Sequence, residues 1–192
     1  QALLDAQTTG YLKSGKICLV ISNNPNAYAL ERAKNAGVEG KIVTKKDAGS
    51  QSAFEQRIVD LLKEKQIDII VLAGFMSILS ENFTSQYPER ILNVHPSLIP
   101  SFCGAGFYGL KVHEEALRYG VKVTGATVHF VNEIPDGGKI ILQKSVAIRK
   151  GDTPEVLQTM GEIARKRVSR YYRRNDFLSR YKSIYNLYGG KK

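Results

Sequence analysis

Four short apolar runs, set apart by stretches of helical periodicity, do most to limit how this chain can fold: ICLVI at 17–21, IDIIVLA at 67–73, ILNV at 91–94 and IIL at 140–142. Continuous apolar runs of this length suit strands covered on both faces by helices. Between them, residues 26–37 carry Ala27, Leu30, Ala33 and Lys34 at helical spacing and close on Gly37, and a short strand follows at 38–43. Residues 51–65 then place Phe54, Ile58, Leu61 and Leu62 on one helical face. This alternation predicts an α/β fold, a doubly wound, mostly parallel Rossmann-like sheet with helices on both faces. Further along, KVHEEALRYG reads as a helix ending at Gly120. Residues 121–131 and 139–148 read as strands joined by the turn NEIPDGG, so a hairpin makes part of the sheet antiparallel. A long helix is expected from Thr153, with Pro154 in its first turn. QALLDAQTTG reads as the end of a helix, so the opening strand usual in such a domain is expected to be missing from this stretch.

With 192 residues, 43% of them hydrophobic, the chain can bury the core of one compact domain, and a division into two would strain it. No apolar run approaches the roughly 18 to 20 residues that cross a bilayer, and no secretory leader is seen, so a cytoplasmic chain without a membrane partner is expected. Cys18 lies in an apolar run and reads as buried, Cys103 reads as a loop residue, and the two have neither metal nor redox spacing. The net charge of +10 invites a nucleic-acid partner, but its distribution argues against one. Residues 1–164 hold 18 Lys/Arg against 17 Asp/Glu, whereas residues 165–192 hold 10 Lys/Arg and one acidic residue, Asp176. The excess belongs to an Arg/Tyr-rich tail, which reads as a solvated basic helix end rather than a phosphate-binding, base-stacking surface.

Right-handed crossovers bring the C-terminal ends of parallel strands to one edge, where such sheets bind ligands. Gly74-Phe75-Met76 and His95-Pro96 each follow a strand, so both segments are expected to face one crevice. Asn93 and His95 are two residues apart and point to the same side of an extended strand. An Asn amide can donate to a developing oxyanion and a His can manage a proton. The same spacing also suits an Asn93 bonded to loop backbone beside a His95 that merely ends the strand. Asp136 lies in PDGG, where Asp-Gly is ordinary hairpin chemistry, yet a carboxylate returned to the crevice would orient His95. His129, inside TVHFV, and His113, expected on a helix surface, are weaker candidates. The three histidines and Asp136 have no HExxH, CxxC or other ligand spacing, so no metal is expected. No strand runs directly into Gly104, Gly106 and Gly109, which argues against a dinucleotide loop.

LAGFMSILS at 72–80, ILNVHPSLIPSF at 91–102, GVKVTGATVHFVNEIPDGGKIILQ at 120–143 and GDTPEVLQ at 151–158 together resemble the phosphoribosylglycinamide formyltransferases, folate-dependent enzymes of purine synthesis. SNNPNAYALERAKNAG at 22–37 fits the same pattern. The resemblance runs over about 1–158 and implies a single formyltransferase-like domain across 1–192, with an atypical basic tail from about 159. It implies 10-formyltetrahydrofolate as co-substrate and glycinamide ribonucleotide as formyl acceptor, in a monomer or homodimer. By this resemblance Asn93 polarises the formyl carbonyl, His95 is the catalytic histidine and Asp136 aids proton transfer. Met76, Ile78 and Leu79 are similar to the wall of the folate pocket. The alternatives are a related folate-dependent formyl enzyme with another acceptor, and an inactive folate-binding protein. Family members open with a strand and a phosphate-binding loop just before a segment like QALLDA, which is not seen here. Ser77 stands where many have an arginine, and Arg165 where the late helix has a ribose-contacting glutamate, with Glu162 one turn earlier.

Overall fold

The computed structural model describes residues 1–159. Strand and helix alternate through the first half: α1 (Ala2–Thr8), β1 (Leu19–Ser22), α2 (Tyr28–Asn35), β2 (Glu39–Ile42), α3 (Lys45–Ala48), α4 (Gln51–Glu64) and β3 (Ile70–Val71). Then come α5 (Glu81–Thr84), β4 (Ile91–His95), α6 (Leu110–Tyr119), β5 (Val123–Phe130) and β6 (Ile140–Ala147). The starts of three helices have local causes. The side chains of Thr44, Ser50 and Ser80 accept from the amides of Asp47, Ala53 and Phe83, satisfying donors that a first turn leaves unpaired.

The strands form a two-stranded sheet, β1-β2, and a four-stranded sheet in the order β3-β4-β5-β6. The pairs β1/β2 and β3/β4 are parallel, whereas β4/β5 and β5/β6 are antiparallel. The α/β Rossmann-like arrangement thus has parallel pairs joined through helices in its first half, an antiparallel β4/β5 pair with α6 in its connection, and a β5/β6 hairpin closed by the 130–140 turn. The two sheets share one core. Phe54, Ile58, Val59 and Leu62 of α4 pack with Leu79, Phe83, Tyr87 and Ile91, and Ile21 of β1 and Ile70 of β3 both pack against this cluster. A smaller cluster of Leu4, Ala33 and Val38 lies under α1 and α2.

Several expectations are corrected. The strand expected over 67–73 is reduced to two paired residues, because β3 hydrogen-bonds a neighbour on one side only and Ile69 and Val71 stay exposed. Cys18 is exposed rather than buried, since it precedes β1. The short helices α3 and α5 have too few residues to register as periodicity. Residues 154–159 are helical as expected from Thr153. The rest of that helix, with Glu162, Arg165 and the basic tail, lies outside the described residues. Among the described residues no helix is long and apolar enough to cross a membrane.

Candidate active site

Strand β4 ends with two polar side chains on one face. Asn93 stands directly opposite His129 of β5, and His95 directly opposite Thr127. The alternation expected for Asn93 and His95 therefore holds, and the antiparallel partner adds His129 and Thr127 to the same side. His95 and His129 are both deeply buried. Burying such polar groups is tolerable only when they are paired. His95 Nε2 lies 2.8 Å from the Phe102 carbonyl oxygen, and His129 Nδ1 lies 2.8 Å from that of Phe130. A carbonyl oxygen only accepts, so each of these nitrogens is the donor.

Asp136 joins the two histidines. Its Oδ2 is 3.3 Å from His95 Nδ1 and accepts the Gly104 amide at 2.9 Å, and its Oδ1 is 3.5 Å from His129 Nε2. Asn93 Nδ2 is 3.3 Å from the same His129 nitrogen. Asn93, His129, Asp136 and His95 thus form a continuous chain of polar contacts. Burial pushes the Asp136 carboxyl upward, but the Gly104 amide and the neighbouring His95 outweigh it, and the group sits below the usual carboxylate range. Cys103, beside this carboxylate, has its thiol pushed up by burial and by the Asp136 charge, which disfavours a nucleophilic thiolate.

The loop after β4 is held from below. Thr127 Oγ1 donates to the Ser97 carbonyl at 2.7 Å and accepts the Ile99 amide at 3.1 Å, and Gln143 Nε2 donates to the Ile99 carbonyl at 2.9 Å. These bonds fix the backbone that carries Phe102 and Gly104 to His95 and Asp136. The segment after β3 emerges beside this cluster, because Ile70 and Val71 pair in parallel with Ile91 and Leu92. Of the three residues expected along it, Met76 and Ile78 are exposed, at 62% and 64%, while the Leu79 side chain is packed in the core. Glu55, a buried carboxylate on α4, ties this segment down. It accepts the Ser80 amide at 2.8 Å, Gln51 Nε2 at 2.7 Å and the Ser80 hydroxyl.

His113 departs from expectation. It is buried, at 3% exposure, on the face of α6 that also buries Val112 and Ala116, and its Nδ1 has no hydrogen-bond partner among the described residues. Burial and the nearby His95 push it below the usual histidine range, towards the neutral form. Its burial was readable from its place between Val112 and Ala116. The role of His129 in the cluster was not, because it depends on the strand register. Its one signal was a titratable residue two positions after Thr127, on a strand whose other polar residues are threonines.

Comparison with known proteins gives a consistent result. Residues 1–169 match the family described as formyl transferase. The trifunctional purine biosynthetic protein adenosine-3 of Homo sapiens is 41% identical over 168 residues, which are 88% of this chain and 16% of that protein. The phosphoribosylglycinamide formyltransferase of Haemophilus influenzae is 39% identical over 158 residues, covering 82% of this chain and 72% of its own length. Among solved structures, glycinamide ribonucleotide transformylase 1 from Symbiobacterium toebii superimposes with a TM-score of 0.83 at 37% identity, over 93% of this chain and 82% of that one. The chain spans about one-sixth of the mammalian trifunctional relatives, half of the chloroplastic formyltransferase of Arabidopsis thaliana and 72% of the Haemophilus influenzae protein.

Proposed function

The chain belongs to the phosphoribosylglycinamide formyltransferase family, and from that premise we propose that it moves a formyl group from 10-formyltetrahydrofolate to the amine of glycinamide ribonucleotide. The observation that carries the proposal is the contact chain Asn93, His129, Asp136 and His95 at the end of β4. It offers both things such a transfer needs, a neutral donor for an oxyanion and a buried acid/base pair.

In the proposed reaction the substrate amine attacks the formyl carbon, a new C–N bond forms, and negative charge develops on the formyl oxygen. The Asn93 amide donates to that oxygen. Donors already in position stabilise such charge more than mobile water does, because they need no reorganisation at the moment of reaction. The attacking nitrogen must lose a proton and the departing folate nitrogen must gain one. His95 and Asp136 carry this exchange. With Nε2 donated to the Phe102 carbonyl, Nδ1 is the nitrogen that passes a proton to and from the carboxylate. The bond from carbon to the folate nitrogen then breaks. Met76 and Ile78 supply exposed apolar surface for the folate ring, and the 72–80 backbone, with Leu79 anchored beneath it, supplies polar groups for the ring edge.

Acceptor dependence tests this function. Consumption of 10-formyltetrahydrofolate by the full chain is expected to begin only when glycinamide ribonucleotide is added. Release of formate without the nucleotide would select a hydrolase instead.

A further inference from the structure

His129 is the most buried of the three histidines, at 1% exposure, and the reaction outlined above leaves it without a task. We infer that His129 is a positioning residue that locks the side-chain amide of Asn93 with its N–H groups turned toward the reacting oxygen, an inference that rests on the proposed formyl transfer.

The argument begins with the tautomer. A neutral imidazole has one donor and one acceptor nitrogen. Nδ1 faces the Phe130 carbonyl oxygen at 2.8 Å, so the proton resides there and Nε2 presents a lone pair. The Asn93 amide end that meets this lone pair at 3.3 Å must be the nitrogen, since an oxygen there would oppose lone pair to lone pair. One Nδ2 hydrogen is thereby committed to His129, and the other is left for an acceptor outside the protein. A half-turn of the amide would present its oxygen to the developing oxyanion and abolish the stabilisation. Asp136 Oδ1, at 3.5 Å, is farther from Nε2 than Asn93 is, and it too can only accept, so in this tautomer it is not the partner. The backbone supports the same lock. Asn93 and His129 are directly opposed across β4 and β5, and the Phe130 carbonyl is crowded by Gly138, where a Cβ would stand 1.8 Å from that oxygen.

The test is a mutant cycle on the full chain with a spectroscopic arm. His129→Leu should lower kcat about tenfold, the loss of one hydrogen bond's worth of orientation, with both KM values little changed. His129→Gln, which can return an acceptor to the Nε2 position, should recover most of that loss. In an Asn93→Ala background His129→Leu should cost nothing further, whereas in an Asp136→Asn background its cost should persist. In ¹⁵N NMR of the unliganded protein, His129 should appear as the Nδ1–H tautomer. Equal losses with and without Asn93, a loss that vanishes instead in Asp136→Asn, or a proton on Nε2 would each overturn the lock. Should His129→Leu not fold, His129→Gln and the NMR tautomer still decide. A wild-type protein that transfers no formyl group would instead refute the proposed function, leaving the tautomer to decide the lock by itself.

Discussion

Asp136 sits where an aspartate is conformationally unfavourable. In the turn closed by the Gly137 amide on the Ile134 carbonyl, Pro135 takes the first central position and Asp136 the second, with φ at +54°. That position suits Gly or Asn, and a residue held there carries strain on the order of 1 kcal/mol. The contacts its carboxylate makes to His95 and Gly104 offset that strain. Because the folded carboxyl lies below its unfolded value, near 3.9, the ionised group contributes stability that is fully present above that value and is lost as pH falls through the folded one. Asp136→Asn keeps an oxygen for Gly104 and suits the backbone, so it isolates the charge. Thermal melts should show the variant less stable than wild type at neutral and mildly acidic pH, with the gap closing below about pH 4. A gap independent of pH would mean that the carboxylate is not paired as described.

Two connecting segments, rather than the strands themselves, bring the working groups together. The first is the 72–80 segment, held to α4 through Glu55. Glu55→Ala would leave the half-buried Ser80 amide and hydroxyl without their acceptor, at a cost of about 1–3 kcal/mol in all. Steady-state kinetics should show a raised KM for 10-formyltetrahydrofolate with the nucleotide KM little changed, since only the folate side of the crevice loses its anchor. The second is the turn between β5 and β6, which carries Asp136. Its course depends on Gly138, where a methyl group would collide with the Phe130 carbonyl. Gly138→Ala should therefore destabilise the fold by roughly 1–3 kcal/mol or more and depress kcat, because the carbonyl that fixes His129 and the turn that aims Asp136 move together. Chemical denaturation and the transfer assay on the same preparation check both effects.

Much of the molecule is legible in local sequence pattern. The spacing of Phe54, Ile58 and Leu62 marked the helix over which the core is built, and the two-residue interval from Asn93 to His95 put both on one face. What was not legible depended on distant segments meeting. Periodicity alone does not show that the 130–140 turn brings Asp136 back to β4, or that the β4/β5 register sets His129 against Asn93. Within one short segment Ile78 is exposed and Leu79 buried, because the segment leaves an edge strand and, past the partly buried Leu72 and Phe75, seats Leu79 in the core. The family resemblance filled part of this gap by naming Asn93, His95 and Asp136, but it carried no information about His129. The central claim is that this cluster moves a formyl group between two substrates. The most direct test follows a ¹³C-labelled formyl group from 10-formyltetrahydrofolate in wild type and in a folded Asn93→Ala variant. Wild type should deliver the label to glycinamide ribonucleotide in step with tetrahydrofolate formation, and the variant should do so roughly 100-fold to 1000-fold more slowly. Label appearing as formate, or a variant that matches wild type, would contradict it.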